Sequence, residues 1–227
     1  MRIANSLKTP LLIPVFDRPE SNIKMYTHSL DSDTIKNNDG KLARIDLQLI
    51  NMIEDAQNKL KSKNIIVEKK IFMNGFSASG SFVNRFAVLY PEKIKAIATG
   101  GINGMPILPL KEFEGLKLPF HIGVDEIEKF TGNSFDIEEY KKVAQYIYMG
   151  ELDENDTLPY DDAFNDNERE IVIKVLGIDM KDRWKKSEEI YGKLKINAYF
   201  QTYSNTGHSI TQEIEKDIIN FFEINKN

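Results

Sequence analysis

The stretch Ile71-Phe72-Met73-Asn74-Gly75-Phe76-Ser77-Ala78-Ser79-Gly80 constrains this chain more than any other. An apolar run of strand character ends in a turn of small residues. Beyond the turn, Phe82, Val83, Phe86, Ala87 and Leu89 repeat on one helical face until Pro91 stops them. A strand can reverse into a helix this abruptly only if the residues flanking the turn are small enough for the two elements to pass closely. Gly75 meets that need two residues before Ser77, and Ser79, followed at once by Gly80, stands two residues after it. The turn leaves Ser77 at a helix N-terminus, where free amides favour negative charge. Serine is also a favoured N-cap residue, so the hexapeptide Gly75–Gly80 alone is equally compatible with an ordinary capped turn.

The rest of the chain alternates in the same way. Strands are expected at Leu11–Phe16, Ile23–His28, Lys95–Thr99, Leu118–Val124, Tyr146–Met149 and Ile196–Tyr203. Helical periodicity begins at Arg44, with Ile45, Leu49, Met52, Ile53, Ala56 and Leu60 on one face, and returns at Ile137–Ala144, 167–176, 179–193 and Ser209–Phe222. This alternation predicts an α/β fold with a mostly parallel sheet and helices on both faces, whose chemistry collects at the carboxyl ends of the strands. The 227 residues suffice for one large core, and no repeat or boundary divides them, so residues 1–227 are expected to form a single domain.

Composition narrows the function classes. The absence of cysteine excludes a disulfide framework, a cysteine nucleophile and thiolate metal sites. A net charge of −5 argues against a nucleic-acid surface, and no apolar run is long enough to cross a membrane. With no visible signal peptide, a cytoplasmic location is expected, or a secreted one if an N-terminal segment is missing. No cofactor and no metal are expected.

A serine nucleophile needs a base, and the chain holds three histidines. His208 lies in the loop between the last expected strand and the last helix, at the end of the sheet from which a base could reach Ser77. His28 and His121 sit in strand-like runs and read as packed residues. The orienting carboxylate is expected in Gly150-Glu151-Leu152-Asp153-Glu154-Asn155-Asp156, after the penultimate strand. Asp153 is preferred, Asp156 is its close rival, and Asp125 is third. A calcium loop lacks its glycine and distal glutamate here.

The order Ser77, Asp153, His208, with an elbow after a strand, resembles the α/β-hydrolase superfamily. Residues 72–101 look most like its esterase and polyhydroxybutyrate-depolymerase-like branch, where the elbow helix runs into a pair such as Tyr90-Pro91 and a short strand follows. The resemblance implies a serine carboxylesterase for small or medium acyl esters: Ser77 attacks, His208 moves the proton and Asp153 holds the imidazole. It implies backbone oxyanion donors at Ala78 and at Phe16 or Asp17, although the chain has Phe-Asp-Arg-Pro where family members often carry His-Gly. Peptidases and thioesterases share the same triad. A non-catalytic binding module and a metal-dependent hydrolase using the acidic loop are the alternatives from other classes.

Members of the superfamily carry two further strands before the one leading to the oxyanion loop, and about ten residues stand there in this chain. The first two strands are therefore expected to be lacking, and an open sheet edge raises the expectation of a homodimer. Cap segments are expected at 101–144 and 157–193, where Met105, Ile107, Leu108, Leu110, Phe113, Phe130, Phe164 and Trp184 are candidates for an apolar acyl pocket or for the core.

Overall fold

The structure, a computed structural model, describes residues 2–17 and 25–226. Nine α-helices are seen among these residues: α1 (Arg2–Leu7), α2 (Ser32–Lys36), α3 (Ile45–Ser62), α4 (Ala78–Leu89), α5 (Ile127–Thr131), α6 (Ile137–Tyr140), α7 (Asp166–Leu176), α8 (Met180–Lys193) and α9 (Gln212–Ile224). The strands are β1 (Ile71–Phe76), β2 (Ile94–Gly100), β3 (Glu112–Phe113), β4 (Leu116–Lys117), β5 (Ala144–Gly150) and β6 (Ala198–Tyr203). β1, β2, β5 and β6 form one parallel sheet in the order β1-β2-β5-β6, and β3 and β4 form a small hairpin.

Alternation along each strand decides which layer it faces. Met73, Ile97, Ile147 and Met149 pack into the larger core with residues of α3, α4 and α8, while Phe72, Ala96, Ala98, Tyr146 and Tyr148 face the smaller core under α1 and α9. α9 shows the helical counterpart: Ile214, Ile218 and Phe222 recur at four-residue spacing and are all buried, each contributing ~1.5–3 kcal/mol by leaving water. The parallel register brings Phe76 opposite Gly100, Gly100 opposite Tyr148, and Gly150 opposite Tyr203, so the carboxyl ends of all four strands form one edge. No helix among the described residues is long and apolar enough to cross a membrane.

Three expected strands are absent. Leu11–Phe16 forms neither strand nor helix, with Ile13 65% and Val15 79% exposed. Pro10 and Pro14 each lack the N–H that a ladder needs, which outweighs the apolar composition. Of Ile23–His28, Ile23 and Lys24 lie outside the described residues, Met25 and Tyr26 are irregular, and Thr27 begins a 3-10 turn over Thr27–Ser29. In Leu118–Val124, the N–H groups of Ile122 and Gly123 both fold back to the Pro119 carbonyl, so the run closes into a turn. No described residue before Ile71 belongs to a strand, and among the described residues β1 stands at one edge of the sheet.

Under the segment 118–124 lies a buried polar cluster. His121 is 2% exposed, its Nδ1 accepts from the Ser32 N–H at 3.1 Å, and the Phe164 ring meets it edge-on. Because Nδ1 accepts, Nε2 carries the proton of the neutral ring. Burial, aided by the positive charges of Arg85 and Lys36, holds the imidazole well below its ordinary 6.5. The unfolded chain protonates this histidine near 6.5 and the folded chain does not, so stability present above 6.5 is lost as pH falls. The carboxyls of Asp31 and Glu168, pushed up by burial, act in the opposite sense at lower pH. We expect unfolding free energy to fall below pH 6.5 with a contribution from His121 approaching ~1.4 kcal/mol per pH unit. Urea titrations across pH should show a flatter slope in His121→Asn, and an unchanged slope would assign the titration to another group.

Candidate active site

Ser77 joins β1 to α4 with φ 58° and ψ −129°, a conformation that costs a residue with a side chain ~1–3 kcal/mol. Four hydrogen bonds hold the turn there. The Ser77 N–H donates to the Gly100 carbonyl at 2.8 Å, and its own carbonyl accepts from the Ser81 N–H at 3.0 Å. Ser79 Oγ donates to the Phe76 carbonyl at 2.8 Å and accepts from the Phe76 N–H at 3.0 Å. A Cβ on Gly75 would stand 2.2 Å from the Ser79 carbonyl oxygen. The second tight position is Gly80, where a Cβ would stand 2.7 Å from the Gly100 oxygen, and not the residue two past Ser77. Ser79 is accommodated because its side chain folds back onto Phe76.

The loops after β5 and β6 meet at this same edge. His208 Nδ1 lies 3.0 and 2.9 Å from the two carboxylate oxygens of Asp153, whose side chain is 3% exposed against 26% for the imidazole. Asp153 Oδ1 also accepts from the Asn155 N–H at 3.0 Å, and the Asn155 Nδ2 stands 3.3 Å from His208 Nε2. This pattern places the proton on Nδ1 and leaves Nε2 as the acceptor. The ring rests on Phe76, the residue before Ser77, with centroids 4.6 Å apart. No hydrogen bond joins Ser77 Oγ to His208 among the described residues; such contacts are often long until substrate is bound. Gly150 lets the two loops touch: a Cβ there would lie 2.2 Å from the Thr206 carbonyl oxygen, which accepts from the Leu152 N–H at 2.8 Å.

The rival acids are engaged elsewhere. Asp156 Oδ2 sits 2.7 Å from Nη2 of the fully buried Arg183, out of hydrogen-bond alignment, so this contact is an ion pair. Arg183 also donates to the carbonyls of Asn103 and Ile178, tying the acidic loop to α8. Asp125 pairs with Lys117 at 3.5 Å. Among the described residues, no group of three or more His, Cys, Asp or Glu side chains is placed to hold a metal ion.

A cavity of about 370 Å³ opens beside Ser77. Ala78 lines it, and its N–H lies in the first turn of α4, where amides lack a partner within the helix. Phe16 and Asp17 do not line it. Their carbonyls accept from His28 Nε2 and Thr27 Oγ1, and the Phe16 ring stacks on Phe82. None of the eight apolar pocket candidates lines it either. They belong to the large core or pack against it, as Trp184 does on Phe200 at 4.9 Å. The walls are Tyr26, Ser29, Ser81, Arg85, Gly101, Asn103, Asn155, Thr157, Tyr160, Asp162 and Ala163. Arg85 carries a signal in the sequence that the motif at Ser77 overshadows, a lone charge in the buried run Phe82–Leu89. Asn155 was hidden among the acidic residues of its loop.

If Asp153 orients a catalytic His208, Asp153→Asn lowers kcat by ~10⁴ with the fold intact. Asp156→Asn should instead cost ~3 kcal/mol of stability by stranding the buried Arg183, with a far smaller effect on kcat. Parallel kinetics and denaturation of the two variants check this, and the reverse pattern would reassign the acid.

No family model matches the chain, and no curated protein matches it. Solved structures do. The poly(3-hydroxybutyrate) depolymerase LpqC from Bordetella parapertussis is similar with a TM-score of 0.54 and 14% identity, over 88% of this chain and 65% of that one. Poly(aspartic acid) hydrolase-1 from Sphingomonas sp. KT-1 is similar with a TM-score of 0.54 and 15% identity, over 89% of this chain and 71% of that one. This chain thus spans just under two thirds of the length of the first structure. With its parallel sheet, helices on both faces and a strand that turns through Ser77 into α4, the chain has the α/β-hydrolase fold.

Proposed function

We propose that this protein is a serine hydrolase, and more specifically a carboxylesterase for small or medium acyl esters. The observation that carries the proposal is the strained Ser77 on the wall of a cavity, at the sheet edge where His208 and Asp153 are joined. The neighbours of similar fold are named as a depolymerase and a hydrolase, which supports hydrolytic chemistry.

In the proposed reaction Ser77 Oγ bonds to the ester carbonyl carbon while His208 Nε2 takes the hydroxyl proton. Negative charge gathers on the carbonyl oxygen, stabilised by the Ala78 N–H. A second donor is assigned to the Phe16–Asp17 backbone, which must shift toward Ser77 to act. The ester C–O bond then breaks, and the leaving alkoxide receives the proton from His208. Water repeats the sequence on the acyl-enzyme and releases the acid. Asp153 keeps the Nδ1 proton in place and stabilises the imidazolium. Before Ser77 can pass its proton, Asn155 must yield Nε2. That contact favours a second reading, a binding module in which Asn155 permanently occupies the base.

Initial rates on para-nitrophenyl butyrate separate the readings. Ser77→Ala and His208→Ala should each lower kcat by ~10⁴–10⁶, and the double variant should lose little more, because the residues act as a unit. Turnover that survives Ser77→Ala would contradict the proposal.

A further inference from the structure

The cavity beside Ser77 is walled mainly by polar groups, and one of them is a cation. Ser77, Ser81 and Arg85 stand at successive four-residue steps, so they run along one face of α4 and line the cavity together. Arg85 is only 8% exposed, yet among the described residues its guanidinium makes one hydrogen bond, from Nη1 to the Ser29 carbonyl at 2.9 Å. No ion pair joins it to a described carboxylate. Asp31 and Glu168 are its acidic neighbours by charge, and both are already engaged in capping. Asp31 accepts from the N–H groups of Thr34 and Tyr26, and Glu168 accepts from that of Asn165. Burial draws the guanidinium down to about 10, which leaves it charged at neutral pH. The remaining donors of the guanidinium are not sealed in protein but reach the cavity, where an anion satisfies a cation better than a neutral group does.

We propose that Arg85 is a specificity-determining residue that binds an anion, so that the favoured substrates are esters carrying a carboxylate at a distance from the scissile bond. The inference rests on the esterase reading and names its substrate class. The eight-residue offset places the Arg85 backbone ~12 Å along the helix from Ser77, and an arginine on a helix leans back toward the N-terminus. The carboxylate therefore sits several bonds from the carbonyl under attack. Asp162 also lines the cavity.

Two length-matched pairs test this by pH-stat: benzyl hydrogen glutarate against benzyl valerate, and the butyryl ester of β-hydroxypropanoate against propyl butyrate. The charged member of at least one pair should be favoured in kcat/KM by on the order of 10- to 100-fold. That ratio should collapse in Arg85→Gln and be partly restored in Arg85→Lys, which keeps the charge without the planar fork. A merely structural Arg85 would lower both members alike, so a ratio that survives in Arg85→Gln overturns the proposal. If Arg85→Gln does not fold, Arg85→Lys carries the test, and an undiminished ratio in it overturns the proposal. A wild-type protein that takes a fluorophosphonate adduct but prefers neither charged ester defeats this inference alone. One that takes no adduct and hydrolyses none of the four esters defeats the esterase reading, and this inference with it.

Discussion

The close passage of β1 against α4 at Ser77 is the constraint on which the rest of the site depends. The turn holds a side chain in a conformation that residues other than glycine avoid, and the cost is offset by the Gly100 contact and by the folding of Ser79 onto Phe76. Neither Gly75 nor Gly80 can carry a Cβ without moving backbone. The same sheet edge imposes a second close passage at Gly150, where the acidic loop and the His208 loop cross. One passage presents a hydroxyl, and the other joins a carboxylate to an imidazole. Parallel register then puts both at the carboxyl ends of strands of one sheet.

What was legible in the sequence follows from this. The strand, turn and helix over 71–89 can be read because periodicity, glycine placement and the Pro91 stop are all local. The position of His208 at the last strand-to-helix crossing can be read from element order alone. Asp153 and Asp156 differ by three positions in an acidic loop, and nothing local separates them; Arg183, far along the chain on α8, does so by pairing with Asp156. Leu11–Phe16 and Leu118–Val124 mislead for one reason. Both are apolar enough for strands, but Pro10 and Pro14 in the first and the turn at Pro119 in the second leave the backbone without a ladder.

The cavity was the least legible part. Its walls come from the Thr27–Ser29 turn and its neighbour Tyr26, from one face of α4, and from the loops after β2 and β5. Apolar residues in the long connections suggested an acyl pocket, but burial in the core claims them first, as hydrophobic transfer dictates. The groups left to face the cavity are mainly hydroxyls and amides, with the Arg85 guanidinium and the Asp162 carboxylate among them. A polar lining beside a strained serine shifts attention from the length of an acyl chain to its charge.

The central claim is that the turn and the His208–Asp153 pair together make Ser77 a reactive nucleophile. Intact-protein mass after exposure to a fluorophosphonate, with Ser77→Ala treated alongside, tests it most directly. A single adduct is expected on the parent protein, located on Ser77, and none on the variant. A well-folded parent that gains no mass, or a variant that gains the same mass, would contradict it.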